Sequence, residues 1–192
     1  MTNRREFLKT ASCATGVLPA AGVRPNILIV MTDQQRAGFT RGSGFPLDTM
    51  PALDRLASAG VSFDRAYCTA PACCPSRVSL MTGRWPHAHR VRENGGLKHA
   101  FFEKDLFDVL RPMGYRIGLA GKNDSHLRER SFDFFRPYSH TDGWKPANAP
   151  PEFAAIDTWL ARLHSHASLE PAPFSPEVQY PYRIVSDAIE FL

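Results

Sequence analysis

Residues 73–84 gather more reactive side chains than any other stretch of the chain. Cys73 and Cys74 are adjacent thiols, followed at once by Pro75, Ser76 and Arg77. Adjacent cysteines lack the C-x-x-C spacing with which two sulfurs share a metal, so a zinc or redox pair is a poor reading. Pro75 fixes φ and suits the first turn of a helix. A helix started there points its positive end at an anion, and the planar fork of Arg77 can hydrogen-bond oxyanion oxygens. Thr82-Gly83 marks the helix end, with glycine free to turn left-handed. The chemistry suggested is nucleophilic attack on an anionic ester.

The stretch resembles the sulfatase signature C-x-P-S-R-x-x-x-x-T-G-R and matches it at every fixed position, from Cys73 to Arg84. The resemblance implies that Cys73 is oxidised after synthesis to formylglycine, whose hydrate is the nucleophile, and that Cys74 fills the variable position. It implies an arylsulfatase-type hydrolase acting on sulfate esters with calcium or another divalent cation. It also implies a maturation enzyme as partner, and Arg77 as the group that stabilises the nucleophile. A phosphonate monoester or phosphodiester hydrolase, which shares fold and nucleophile, is the alternative enzyme. An inactive, truncated fragment is the non-catalytic one.

The elements that must position these groups follow from hydrophobic patterning. Asn26 to Met31 is an almost continuous apolar run and reads as a central strand buried on both faces. Asp33 and Gln34 follow it. Function in open α/β sheets gathers at the carboxyl ends of strands. Under the resemblance Asp33 and Gln34 are metal ligands, with the Cys73-derived group as a third. Pro51 opens a helix with Leu53, Leu56 and Ala57 on one face, ended by Gly60; residues 61–67 read as a short strand. Residues 85–100 are irregular, with a turn at Asn94-Gly95-Gly96, and His87 and His89 are assigned to the surface. Leu106, Val109, Leu110 and Met113 define a helix distorted at Pro112 and closed by Gly114. Residues 115–120 read as a strand ending at Gly121-Lys122.

The spacing thus places Asp33, Cys73 and Lys122 each just after a strand-like segment, at one edge of a parallel sheet. The resemblance makes Lys122 a sulfate-binding and catalytic lysine, and Asn94 a substrate contact. The family's G-K-x-H pattern becomes Gly121-Lys122-Asn123-Asp124 here, and His126, two residues on, is the candidate acid. Residues 128–151 look loop-like. Phe153, Ile156, Leu160 and Leu163 mark a helix, residues 170–181 an extended proline-rich segment, and Ile184 to Leu192 a last helical face. The implied fold is α/β and alkaline-phosphatase-like: a mostly parallel central sheet flanked by helices, in incomplete form. Sulfatases are longer and carry a second metal-ligand pair downstream. Residues 23–192 are therefore expected to be the N-terminal part of a catalytic domain, with little activity and a poor metal site on their own.

The formal charge is +4 over 192 residues, and Arg4, Arg5 and Lys9 against Glu6 supply half of it. Acidic and basic residues are otherwise interleaved, which excludes a nucleic-acid stripe. Asn3 to Lys9 fits the x-R-R-x-F-L-K pattern of a twin-arginine export signal, and residues 10–22 form a weakly apolar stretch too short to span a bilayer. Residues 1–22 are read as that signal. The reading implies the Tat export machinery and a periplasmic location. The four cysteines suggest no disulfide framework.

Overall fold

The computed structural model describes residues 24–164 and 167–192, so the twin-arginine-like stretch lies outside the described residues. The chain divides into two units, 1–64 and 65–192.

In the first unit, α1 spans Pro51–Ala59 and has proline in its opening turn, where a missing N–H costs nothing. Asp54 of α1 accepts the backbone N–H groups of Arg41 (3.1 Å) and Gly42 (3.0 Å), which holds a 3-10 turn at Arg41–Ser43. The apolar run at 26–31 forms no strand, and Ile27, Leu28, Ile29 and Val30 are exposed. The expectation of a central strand is corrected here. A strand exists only through its ladder partners, and the described residues of this unit supply none. Residues 61–67 likewise form turn and coil.

The second unit is built outward from α2 (Cys73–Thr82), which carries the motif. Gly83 closes it at φ 66°, donating its N–H to the Ser79 carbonyl at 2.8 Å. The expected start and stop both hold. Cys74 and Val78 of α2 bury against Val91, with Leu97 and Ala100 at the margin. A short helix, α3 (Pro86–His89), lies in the segment expected to be irregular. Helix α4 (Leu106–Leu110) starts at a reciprocal cap between Asp105 and Asp108. It tightens into a 3-10 turn at Arg111–Met113, where Pro112 was expected to distort it, and Gly114 ends it in the left-handed region.

Strand β1 (Gly118–Gly121) pairs in parallel with β2 (Phe134–Pro137), Gly118 facing Phe134 and Gly121 facing Pro137. Strand β2 lies within residues 128–151, and the reading of that segment as loop is corrected here. Helices α5 (Glu152–Arg162) and α6 (Tyr180–Phe191) follow. α6 covers the β1–β2 pair. A Cβ at Gly118 would fall 2.7 Å from the Phe191 ring, so only glycine lets the helix approach this closely. Tyr138, just past β2, donates its hydroxyl to Asp187 of α6 at 2.7 Å, and burial holds the Asp187 carboxyl above its ordinary pKa. Arg183 of α6 lies over the Phe153 ring at 3.7 Å and donates to the Trp144 carbonyl. No helix among the described residues is long and apolar enough to cross a membrane.

Candidate functional site

Two elements of the second unit meet at the motif. Cys73 occupies the first turn of α2, and Lys122 follows the last residue of β1. Lys122 Nζ lies 3.2 Å from Cys73 Sγ. Arg77, one turn further along α2, donates from Nη1 to the Lys122 carbonyl at 2.6 Å. The same helix thus contacts both the side chain and the backbone of Lys122. Gly121 makes the turn into Lys122 at φ 114°, a conformation that disfavours any side chain. Sequence reasoning anticipated these three residues, and the fold brings them together.

The opening of α2 has no side-chain cap of its own, because Ala72 stands at the N-cap. Asn94 supplies one from twenty residues away: its Oδ1 accepts the Cys74 N–H at 3.0 Å. This satisfies one of the orphan donors of the first turn and fixes the backbone beside Cys73. Cys74 is buried and Cys73 half-buried, so of the adjacent thiols only Cys73 is presented to solvent; Cys68, Cys73 and Cys74 are all free.

His89 corrects a surface assignment. It is fully buried, and its Nε2 lies 2.9 Å from Ser79 Oγ on the far side of α2. Its Nδ1 accepts the Val91 N–H at 3.1 Å, so the ring is neutral with its proton on Nε2. Burial lowers its pKa below the ordinary histidine value. The role is to clamp the motif helix. His87 is exposed, as expected.

Sequence reasoning missed His140. Its Nε2 lies 2.9 Å from Lys122 Nζ. An ammonium only donates, so Nε2 accepts. His140 follows β2 as Lys122 follows β1. Parallel pairing carries the carboxyl ends of both strands to one edge, so the two side chains meet. A strand recognised at 134–137 would have pointed to this histidine. Asp124, standing where the G-K-x-H pattern has its histidine, lies 3.2 Å from Lys122 Nζ through its Oδ2. His126 is held elsewhere: its Nε2 meets Asp105 Oδ2 at 3.1 Å, its ring packs on Phe102 at 4.2 Å, and its side chain is 7% exposed.

Asp33 and Gln34 belong to the first unit, where Gln34 adopts φ 52°. Both offer hard oxygen donors suited to calcium. Calcium takes six to eight such oxygens, however, and the described residues gather no set of three acidic, histidine or cysteine side chains that could hold a metal. The described residues do not by themselves complete a coordination sphere.

The site can therefore hold an anion between an ammonium, a guanidinium and a helix N-terminus, beside a reactive position at residue 73. Comparison with known proteins gives the family. The sulfatase family model matches residues 25–169. The chain is 36% identical over 124 residues to an arylsulfatase A from Bos taurus, a match covering 61% of this chain and 24% of that protein. It is 30% identical over 178 residues to an ulvan-active sulfatase from Formosa agariphila, covering 88% of this chain and 32% of that one. Among solved structures it resembles a phosphonate monoester hydrolase from Agrobacterium radiobacter, with a TM-score of 0.62 at 22% identity, over 88% of this chain and 38% of that chain. That likeness shows the α/β, alkaline-phosphatase-like fold. The matched region spans about a quarter to a third of the length of these two curated relatives.

Proposed function

The chain belongs to the sulfatase family, and from that premise we propose that it hydrolyses sulfuric esters at a nucleophile derived from Cys73. The observation that carries the reading is the 3.2 Å approach of Lys122 Nζ to Cys73 Sγ, at the opening of a helix aimed at the same point. Formylglycine at residue 73, once formed by a maturation enzyme, would supply a hydrated aldehyde as the nucleophile: its oxygen would bond to sulfur as the bond from sulfur to the alcohol oxygen breaks, and the alcohol would leave with a proton.

The chain's own residues bind and orient. Lys122 donates to a sulfate oxygen and offsets the charge that builds on it. Arg77 keeps one N–H on the Lys122 carbonyl and turns its remaining donors to the anion. Asn94 holds the first turn of α2 through its Oδ1, which leaves its amide nitrogen for a substrate oxygen. His140, on Lys122, is the histidine we assign to proton traffic at the site; His126 is assigned to Asp105 and the packing of its loop. Asp33 and Gln34 are proposed as donors to a divalent cation, calcium first. The basic leader at Arg4-Arg5 supports export to the periplasm through the twin-arginine route.

Hydrolysis of phosphonate esters is the second reading, favoured by the fold neighbour alone. One experiment separates the two. A full-length version of the protein is produced with a formylglycine-generating enzyme, the peptide spanning residues 66–84 is weighed by mass spectrometry, and turnover of an aryl sulfate is compared with that of an aryl phosphonate. Conversion of Cys73 with dominant sulfate turnover, lost in Cys73→Ala and kept in Cys74→Ala, is expected. Dominant phosphonate turnover, or unchanged activity in Cys73→Ala, overturns the sulfatase reading.

A further inference from the structure

α6 holds both stems of the loop that carries His140. Tyr138 opens that loop and donates its hydroxyl to Asp187 at 2.7 Å; Trp144 follows its last residue and accepts from Arg183 at its carbonyl. Arg183 and Asp187 stand one turn apart on the same face of α6. Both are buried, as is Tyr138. We propose that Tyr138, anchored by this pair, is a positioning residue for the Lys122 site: it seats residues 138–143 so that His140 meets the Lys122 ammonium. The inference rests on the sulfate-ester reading for what the site binds, and not for the seating itself.

Three observations carry it. The first is that Tyr138 fixes both partners of the contact. Its N–H donates to the Gly121 carbonyl at 3.0 Å, which holds the peptide leading into Lys122. It also pairs with Gly143 across the turn, which closes the loop around His140. The second is tightness. Within the loop the Ser139 N–H donates to the Asp142 carbonyl at 2.7 Å, and at its base the Trp144 N–H donates to the Pro137 carbonyl at 2.9 Å. The Tyr138 ring lies so close over Gly143 that a Cβ there would fall 2.9 Å from it. A turn closed in this way moves as one piece, so holding Tyr138 holds His140, whose own side is exposed. The third is the cost of letting go. The Tyr138 hydroxyl and the Asp187 carboxyl are buried together, with the Arg183 guanidinium 5.2 Å from the Tyr138 ring, and a buried polar group that loses its partner is penalised more than an exposed one. Lys145 adds a tie from Asp157 of α5 to the Gly143 carbonyl, but that tie leaves the Tyr138 end of the loop unheld.

The test reads the His140 ring in the full-length protein. Selective 13C labelling of histidine lets the ring Cδ2 shift report which nitrogen carries the proton, and His140→Gln identifies the signal. At about pH 8, above the ordinary histidine range, a Lys122 ammonium donating to Nε2 puts the ring proton on Nδ1, the reverse of the form a free imidazole prefers. The unsubstituted protein is expected to show the Nδ1–H form. Tyr138→Phe, which removes only the hydroxyl, is expected to shift it to the Nε2–H form, and Asp187→Leu, which removes the acceptor, to repeat that shift. Asp187→Asn keeps an acceptor and is expected to retain the Nδ1–H form. Phe107→Leu, which loosens the ring contact with Phe132 far from the loop, is expected to lower stability and leave the tautomer alone. Affinity for inorganic sulfate, measured by calorimetry, is expected to fall about threefold in Tyr138→Phe. An Nε2–H ring in the unsubstituted protein overturns the inference without recourse to any variant. So does an Nδ1–H ring that survives Tyr138→Phe or Asp187→Leu, its loss in Asp187→Asn or Phe107→Leu, or sulfate bound equally well with and without the Tyr138 hydroxyl. If the tautomer shifts as expected but the unsubstituted protein binds no sulfate, the sulfate-ester reading fails and the seating stands.

Discussion

Lys122 meets Cys73 at 3.2 Å although 49 positions separate them in the chain. Neither residue reaches the other by local structure. Cys73 is placed by a helix whose cap comes from Asn94, and Lys122 by a strand whose final residue, Gly121, turns at φ 114°. Arg77 then joins the two placements through the Lys122 carbonyl. The half-buried ammonium is flanked by Asp124 and His140, so its position is set from several sides rather than by one long flexible stem.

The cap at Asn94 makes a prediction with two signs. Asn94→Ala removes the acceptor of the Cys74 N–H and is expected to cost about 1 kcal/mol of stability, measured by chemical denaturation. Asn94→Asp keeps an acceptor and adds a negative charge at a helix N-terminus, so stability is expected to return. The same charge sits beside the anion site. Sulfate affinity, measured by calorimetry, is therefore expected to fall in Asn94→Asp even as stability recovers. Recovery of both would mean that the anion does not bind at this end of α2.

Gly118 makes a prediction about packing. A methyl group there meets Phe191 at 2.7 Å, and either the helix or the ring must move. Gly118→Ala is expected to cost about 1–3 kcal/mol in a denaturant melt. Adding Phe191→Leu is expected to recover part of that loss, which a double-mutant cycle reads as coupling. A strictly additive pair would show that the cost lies in the strand and not in the contact.

His89 makes a prediction about pH. Burial lowers its pKa from the ordinary value of 6.5, so between that value and its folded pKa the unfolded chain holds more protons than the folded one. Stability contributed by the neutral ring is present above 6.5 and is lost as pH falls below it. Denaturation midpoints measured across this range are expected to decline on acidification, and the decline is expected to flatten in His89→Gln. His87→Gln, which alters an exposed ring, is expected to leave the profile unchanged.

Apart from the four-residue α3, the helices were legible from the sequence because their signals are local. Pro75 and Gly83 bracket the motif helix, and Pro112 and Gly114 mark where α4 tightens and stops. Of the strands, β1 was legible in residues 115–120, but the others were not, because a strand depends on partners elsewhere in the chain. The apolar run at 26–31 has the composition of a buried strand and no ladder, whereas Phe134–Pro137, short and ended by proline, has a ladder to β1 that its composition did not announce. Missing that strand meant missing His140. The His89 assignment failed for a related reason: a lone histidine is exposed or buried according to what crosses it, and Ser79 lies ten residues away. Of the expected site residues, Cys73, Arg77 and Lys122 converge in the second unit; Asn94 joins them as a cap, and His126 is engaged with Asp105.

The seating of Phe191 against Gly118 also ties the strand that carries Lys122 to a distant part of the chain. The motif helix and its Asn94 cap involve neighbours within a few turns of chain, and β1 reaches β2 across a short crossover. α6 arrives from much further along the sequence, and closing so long a loop is paid in entropy before any contact returns it. The contact that seats β1 under α6 is thus made across 73 positions of chain, where the Asn94 cap spans 20 and the β1–β2 ladder 16.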